Sequence, residues 1–178
     1  MIRYTKHVLL VLIFMSALFS CKTTKDLPTV QDVDLERYMG KWYEIARLPN
    51  RFEKGLKCAT ADYELQENGK IQVINRGHQI NNPSEVSKVK GTARIPDKSK
   101  PGQLKVVFFW PFGGDYYIIE LDENYQYVMV GDPSRKYLWI LSREKQLSGD
   151  VYNKLVSRAD ELGFKTGQLI KVEQDCVN

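Results

Sequence analysis

At 178 residues the chain has the length of one ordinary domain. Its 43% hydrophobic and 27% charged content is that of a globular chain and excludes a disordered one. The formal net charge of +4 falls to about +2 without Arg3 and Lys6, and no basic stripe interleaved with aromatics remains, so composition gives no ground for a nucleic-acid partner.

Residues 1–20 read as an export signal. Arg3 and Lys6 give a positive start, Val8 to Phe19 form an uncharged, mostly apolar run of 12 residues, and small Ser20 precedes Cys21. A run that short falls below the roughly 20 apolar residues a bilayer core requires. The string Leu18-Phe19-Ser20-Cys21 resembles a bacterial lipoprotein processing site, with Leu three before the cysteine and a small residue one before it. Phe19 departs from the small or β-branched residue usual at its place. The resemblance implies that Cys21 carries several acyl chains and anchors the protein durably to a membrane. It also implies the outer membrane, because Lys22 stands where Asp would favour inner-membrane retention. Lys22 to Asp34 is polar, holds Thr23, Thr24 and Pro28, and reads as a tether. The expected organisation is a leader over 1–20, an acylated cysteine and tether over 21–34, and one domain over 35–178.

Past the tether the chain reads as nearly all β. Runs rich in Val, Ile, Tyr, Phe and Trp fall at about 41–48, 58–66, 70–76, 85–95, 103–109, 116–122, 126–131 and 137–143. Turn signals separate them: Glu67-Asn68-Gly69, Pro101-Gly102, Phe112-Gly113-Gly114-Asp115, Asp122-Glu123-Asn124 and Asp132-Pro133-Ser134. Eight strands joined in sequence predict an antiparallel up-and-down barrel. In the second run Ala59, Ala61, Tyr63 and Leu65 share one face, against Thr60, Asp62, Glu64 and Gln66. The runs at 104–110 and 116–121 are apolar on both faces and require cover outside the barrel. One helix is expected over about 149–162, with Ser148 as N-cap, Gly163 as stop, and a stripe of Val151, Leu155, Val156, Ala159 and Leu162 to pack on the barrel wall. A short last strand is expected over Leu169 to Val172.

A barrel of eight strands is either filled by its own side chains or holds one small ligand. Small residues (Ala59, Ala61, Gly91, Ala93) leave room and large ones (Tyr63, Phe108, Trp139) line walls, a pattern compatible with both. Of the three cysteines, Cys58 and Cys176 remain once Cys21 is acylated, and export favours their pairing over two buried thiols. Downstream of the leader there is one histidine, His78, no cluster of metal ligands and no G-x-S-x-G elbow. No catalytic residue, metal or cofactor is therefore expected; a haem on His78 is the alternative that a Soret band would reveal. The exposed string Trp110-Pro111-Phe112 suggests contact with a membrane or a second copy, or else the rim of a pocket.

Gly40-Lys41-Trp42-Tyr43-Glu44-Ile45-Ala46-Arg47 carries the G-x-W signature of lipocalins, and Leu138 to Arg143 resembles their late-strand motif ending in Arg. Gly131-Asp132-Pro133 stands where the family has its middle motif, usually Thr-Asp-Tyr, and matches it in part. With Arg51-Phe52-Glu53-Lys54-Gly55, these strings resemble the bacterial lipocalins of the Blc group, which are similar to apolipoprotein D. The resemblance spans about 34–176. It implies an eight-stranded lipocalin barrel with one C-terminal helix packed outside, in which Gly40, Trp42 and Arg143 are structural: Trp42 as the floor and Arg143 stacked upon it. It implies a Cys58–Cys176 bridge. It further implies a carrier for a fatty acid or lysophospholipid in envelope maintenance, lipid-anchored at the bacterial outer membrane and facing the periplasm. Trp139, Phe108, Val106, Ile118 and Tyr63 are the expected wall, and Arg47 and Lys57 the expected cations for an acidic head group. The rival expectations are a non-binding structural or protein-interaction lipoprotein, a homodimer among them, and a lipocalin-fold isomerase.

Overall fold

Alternation with period two sets the architecture seen in the computed structural model, which describes residues 26–176. The strands are β1 (Gly40–Arg47), β2 (Leu56–Leu65), β3 (Ile71–Gln79), β4 (Asn82–Arg94), β5 (Gln103–Phe109), β6 (Phe112–Leu121), β7 (Tyr127–Gly131) and β8 (Leu138–Ser142). Each pairs antiparallel with the next, and β1 pairs with both β2 (Trp42 opposite Ala61) and β8 (Tyr43 opposite Ser142). The sheet is thus a closed eight-stranded barrel. A two-residue strand, β9 (Ile170–Lys171), adds to the end of β1. Up-and-down order puts the β1–β2, β3–β4, β5–β6 and β7–β8 connections at one end, the mouth, and the rest at the base. The expected leader and Cys21 lie outside the described residues.

The two faces of the wall form two separate cores. Trp42, Tyr63, Ile71, Val73, Leu104, Ile118, Val128, Val130 and Leu141 point inward as one cluster. Ala46, Ile119, Met129, Leu138 and Ile140 point outward into a second, completed by Leu155 and Ala159 of helix α2 (Gly149–Glu161) and by Phe164. Adjacent residues on β6, β7 and β8 thus serve opposite cores, which is why those strands are apolar on both faces. Ser148 caps α2, its Oγ accepting from the Val151 N–H at 3.4 Å. Gly163 ends it at φ +84°, donating its N–H to the Asp160 carbonyl. The helix covers the outward faces of β6 to β8 and β1 but not the end of β5, where Phe109 stays 71% exposed.

Two boundaries differ from expectation. The β5–β6 turn is Trp110-Pro111, with Phe109 opposite Phe112, and Gly113 and Gly114 lie within the ladder opposite Val107 and Val106. Proline has no N–H to give a ladder, whereas glycine has one, so the turn falls on the proline. The expected tether over 21–34 is shortened at its end, because residues from Leu27 onward are packed on the barrel. Leu27 is buried in the outer core, and the Val30 N–H reaches the Ile118 carbonyl at 3.0 Å. Gly102 permits this approach, since a Cβ there would stand 2.5 Å from the Val30 carbonyl oxygen.

The base is sealed by one constellation. Asp34 caps the short helix α1 (Leu35–Tyr38), which sets Tyr38 against the Trp42 ring. Trp42 is fully buried and its Nε1 donates to the Tyr38 carbonyl at 2.9 Å. The Arg143 guanidinium lies 3.8 Å from the Trp42 ring centre, a contact of about 0.5–2 kcal/mol. Its Nη1 donates to the Lys41 carbonyl and its Nη2 to those of Arg37, Tyr38 and Met39, at 2.7 to 3.1 Å. Gly40, at φ +91°, makes the turn into β1, where a Cβ would stand 3.4 Å from Nη1. Arg143→Ala removes this donor from the Arg37, Met39 and Lys41 carbonyls, leaves the Tyr38 carbonyl to Trp42 Nε1 alone, and should lower stability by about 2–4 kcal/mol; Arg143→Lys, with three donors and no plane, should recover less than half. Urea unfolding of the three proteins measures this.

Candidate functional site

The barrel interior is the place to look for a site, and its depth is graded. Of the expected wall, Tyr63 and Ile118 are buried, while Val106, Phe108 and Trp139 face the same inner cluster but remain partly exposed. The bottom is therefore closed and the upper half reachable from the mouth. The room expected at Gly91 is occupied: a Cβ there would lie 2.6 Å from the Phe108 ring, which lies across β4.

Arg47 is placed differently from the expected head-group cation. A β-bulge between Glu44 and Ala46 turns Ala46 to the outer core and brings Arg47 back beside Glu44. Arg47 is 4% exposed, donates to Glu44 Oε1 at 2.6 Å and gives its Nη2 to the Glu53 and Leu56 carbonyls. It fastens the β1–β2 connection to the wall. Lys57 is also committed, 2.9 Å from Asp175.

The same cluster holds residues that sequence reading did not single out. Glu53 accepts from Asn50 Nδ2 and, at 3.0 Å, from Trp139 Nε1, so Trp139 is both a wall residue and an anchor for the connection above it. Glu44 is buried, with Glu53 beside it; burial first and then that second carboxylate hold its pKa well above the ordinary glutamate range, which Arg47 only partly offsets. Alternation contained the signal for Glu44, since it follows Trp42 by two. At the base, the Tyr38 and Tyr63 hydroxyls each meet that of Tyr116, at 2.7 and 3.0 Å.

At the mouth, a cavity of about 580 Å³ opens between the β1–β2 connection, Ile80 and the C-terminal segment. Arg47, Arg51, Lys54 and Ile170 are among its lining, and none of the five expected apolar wall residues is. The C-terminal segment is held by the Cys58–Cys176 disulfide, Cα atoms 6.1 Å apart, and by Gln174, which donates to the Glu44 and Ala59 carbonyls. Closing a loop of 118 residues constrains the unfolded chain by up to about 4–5 kcal/mol. Asp175 adjoins the two sulfurs, but a disulfide offers no thiolate to a metal. His78 lies in the exposed β3–β4 hairpin, its Nδ1 2.6 Å from the Pro83 carbonyl oxygen, away from the inner cluster. Phe52, Trp110 and Phe112 stand exposed around the mouth, Trp110 at 87%.

The pKa of Glu44 is higher folded than unfolded, so the protein binds the proton more tightly when folded. That contribution to stability is whole below the ordinary value of 4.5 and is lost as pH rises towards the folded value. Glu44→Gln, which cannot ionise, should flatten the decline in stability above pH 4.5, as urea unfolding at a series of pH values would show.

The profile of the lipocalin-like domain matches residues 33–174. The chain is 43% identical over 146 residues to the outer membrane lipoprotein Blc of Vibrio cholerae, covering 82% of this chain and 85% of that protein. It is 34% identical over 131 residues to apolipoprotein D of Macaca fascicularis, covering 70% and 68% of the two chains. The crystal structure of insecticyanin from the tobacco hornworm superposes with a TM-score of 0.67 at 25% identity, covering 83% of this chain and 84% of that one.

Proposed function

Since the chain belongs to the lipocalin family, we propose that it is a lipid carrier that holds the acyl chain of a fatty acid or lysophospholipid inside the barrel. The observation that carries this reading is the graded interior: sealed below by Trp42 and Arg143, apolar in its wall, and only partly buried at Val106, Phe108 and Trp139. A buried acyl chain gains roughly 0.8 kcal/mol for each CH₂ removed from water. The head group stays at the mouth, where Arg51 and Lys54 adjoin the cavity; Arg47 serves as a fastening. The role is storage or transfer of lipid in envelope maintenance, without a catalytic step.

Location follows from the same reading. Relatives named outer membrane lipoproteins, together with the Leu18-to-Cys21 string, support a periplasm-facing protein anchored at the outer membrane through acylated Cys21. Among the described residues no helix is long and apolar enough to cross a membrane. A barrel on a short lipid tether meets its ligand at the bilayer surface.

The test is a titration of the purified protein with hexadecanoic acid and with a palmitoyl lysophospholipid, followed by tryptophan fluorescence. Saturation at one lipid per chain is expected, and Trp139→Ala should weaken binding by at least about tenfold while the barrel stays folded. No saturable binding by folded protein would sink the reading.

The exposed aromatics at the mouth favour a second role for that end. Phe109, Trp110 and Phe112 together present an apolar tip on the β5–β6 hairpin, suited to lipid or to a second copy. Phe112→Ser should reduce liposome binding or self-association; unchanged vesicle flotation and sedimentation would remove both.

A further inference from the structure

The inner wall carries polar atoms that an unsubstituted acyl chain leaves unused. The Tyr38, Tyr116 and Tyr63 hydroxyls form a chain with two contacts, Tyr116 in the middle. Burial lifts all three pKa values well above the ordinary phenol value, so each keeps its proton. Three hydroxyl hydrogens and two contacts leave one hydrogen without an acceptor among the described residues, whichever way each bond runs. When both neighbours donate to Tyr116 the spare hydrogen is its own, and Tyr116 is only partly buried at the inner cluster.

Asn75 supplies the complement. It shares the inward register of Ile71 and Val73, opposite Ala61 and Val89, and its buried Oδ1 has no hydrogen-bond partner among the described residues. A buried acceptor left unmade is costly, and a ligand that fills it regains that cost. The arginines at the two ends are committed: Arg143 to backbone carbonyls beneath Trp42, Arg47 to Glu44 and the β1–β2 connection. A carboxylate pushed to the base would be a buried charge without a partner. The group that answers both features is neutral and both donates and accepts, which describes a hydroxyl. A carbonyl answers the tyrosines alone.

We propose that the preferred ligand is a hydroxylated acyl chain, its acidic head at the mouth and its hydroxyl held inside the barrel by the Tyr38–Tyr116–Tyr63 chain and Asn75. This rests on the carrier reading. The test compares hexadecanoic acid with hydroxyhexadecanoic acids bearing the hydroxyl at carbon 3, 12 or 16, titrated against the full chain. At least one hydroxy acid should bind about three- to tenfold more tightly than the parent acid. No single Tyr→Phe change removes the spare hydrogen: loss of an end hydroxyl leaves two hydrogens for one contact, and loss of Tyr116 orphans both neighbours. The informative variant is therefore Tyr38→Phe/Tyr63→Phe/Tyr116→Phe, nearly isosteric, which should erase the preference, read as the ratio of hydroxy-acid to parent-acid affinity in the same protein. Asn75→Leu, an independent change on the wall, should reduce the preference and keeps the test open if the triple variant does not fold. Equal affinity for the parent and every hydroxy acid, a preference that survives in the folded triple variant, or one undiminished in folded Asn75→Leu, overturns the inference and leaves the carrier reading standing. Failure of the wild type to bind any of the four acids overturns both.

Discussion

Arg143 lies across the Trp42 ring and gives hydrogen bonds to four carbonyls within five residues, those of Arg37, Tyr38, Met39 and Lys41. Those carbonyls belong to the segment that crosses the base and enters β1, so one side chain that follows the last barrel strand holds the stopper in place. The rest of the interior depends on it. With the base sealed, Tyr38 and Trp42 become a floor, and the walls above can keep apolar surface without admitting water from below. The guanidinium spends these donors on the backbone, so they are not offered to the cavity.

The mouth is organised by a different kind of interaction. There the wall turns polar: Glu44, Arg47, Glu53 and Trp139 share hydrogen bonds that tie the β1–β2 connection to the barrel. Glu44, buried with the Glu53 carboxylate nearby and one guanidinium that only partly offsets both, is better off protonated, which couples the fit of this connection to pH. The disulfide and Gln174 pin the C-terminal segment alongside β1 and β2, so the mouth is framed by covalent and polar contacts while the interior is framed by packing.

Much of this was legible in the sequence where a strong local pattern met no competition. Apolar runs between turn signals marked the barrel strands, with clear alternation in β2, and Ser148 and Gly163 marked the helix ends. The β5–β6 turn was misplaced because two adjacent glycines read as a turn while a proline two residues earlier settled it. Residues 27–34 looked like a tether because only Leu27, Val30 and Val33 are apolar, too few to reveal periodicity, yet each finds a pocket on the barrel. Arg47 was expected to meet an acidic head group; its fastening role was not legible because a β-bulge, which has no sequence signature here, changes the phase of β1 after Glu44. The tyrosine chain joins residues far apart along the chain, and only the folded sheet brings their hydroxyls together.

The measurement that bears most directly on the carrier reading is a crystal structure of the protein with hexadecanoic acid bound. The account predicts one acyl chain along the barrel axis, its tail against Tyr116 and Ile118 and its carboxylate at the mouth near Arg51 and Lys54. An acyl chain lying in the outer cavity against Ile80 and Ile170, with the space above Phe108 filled by side chains, would contradict it.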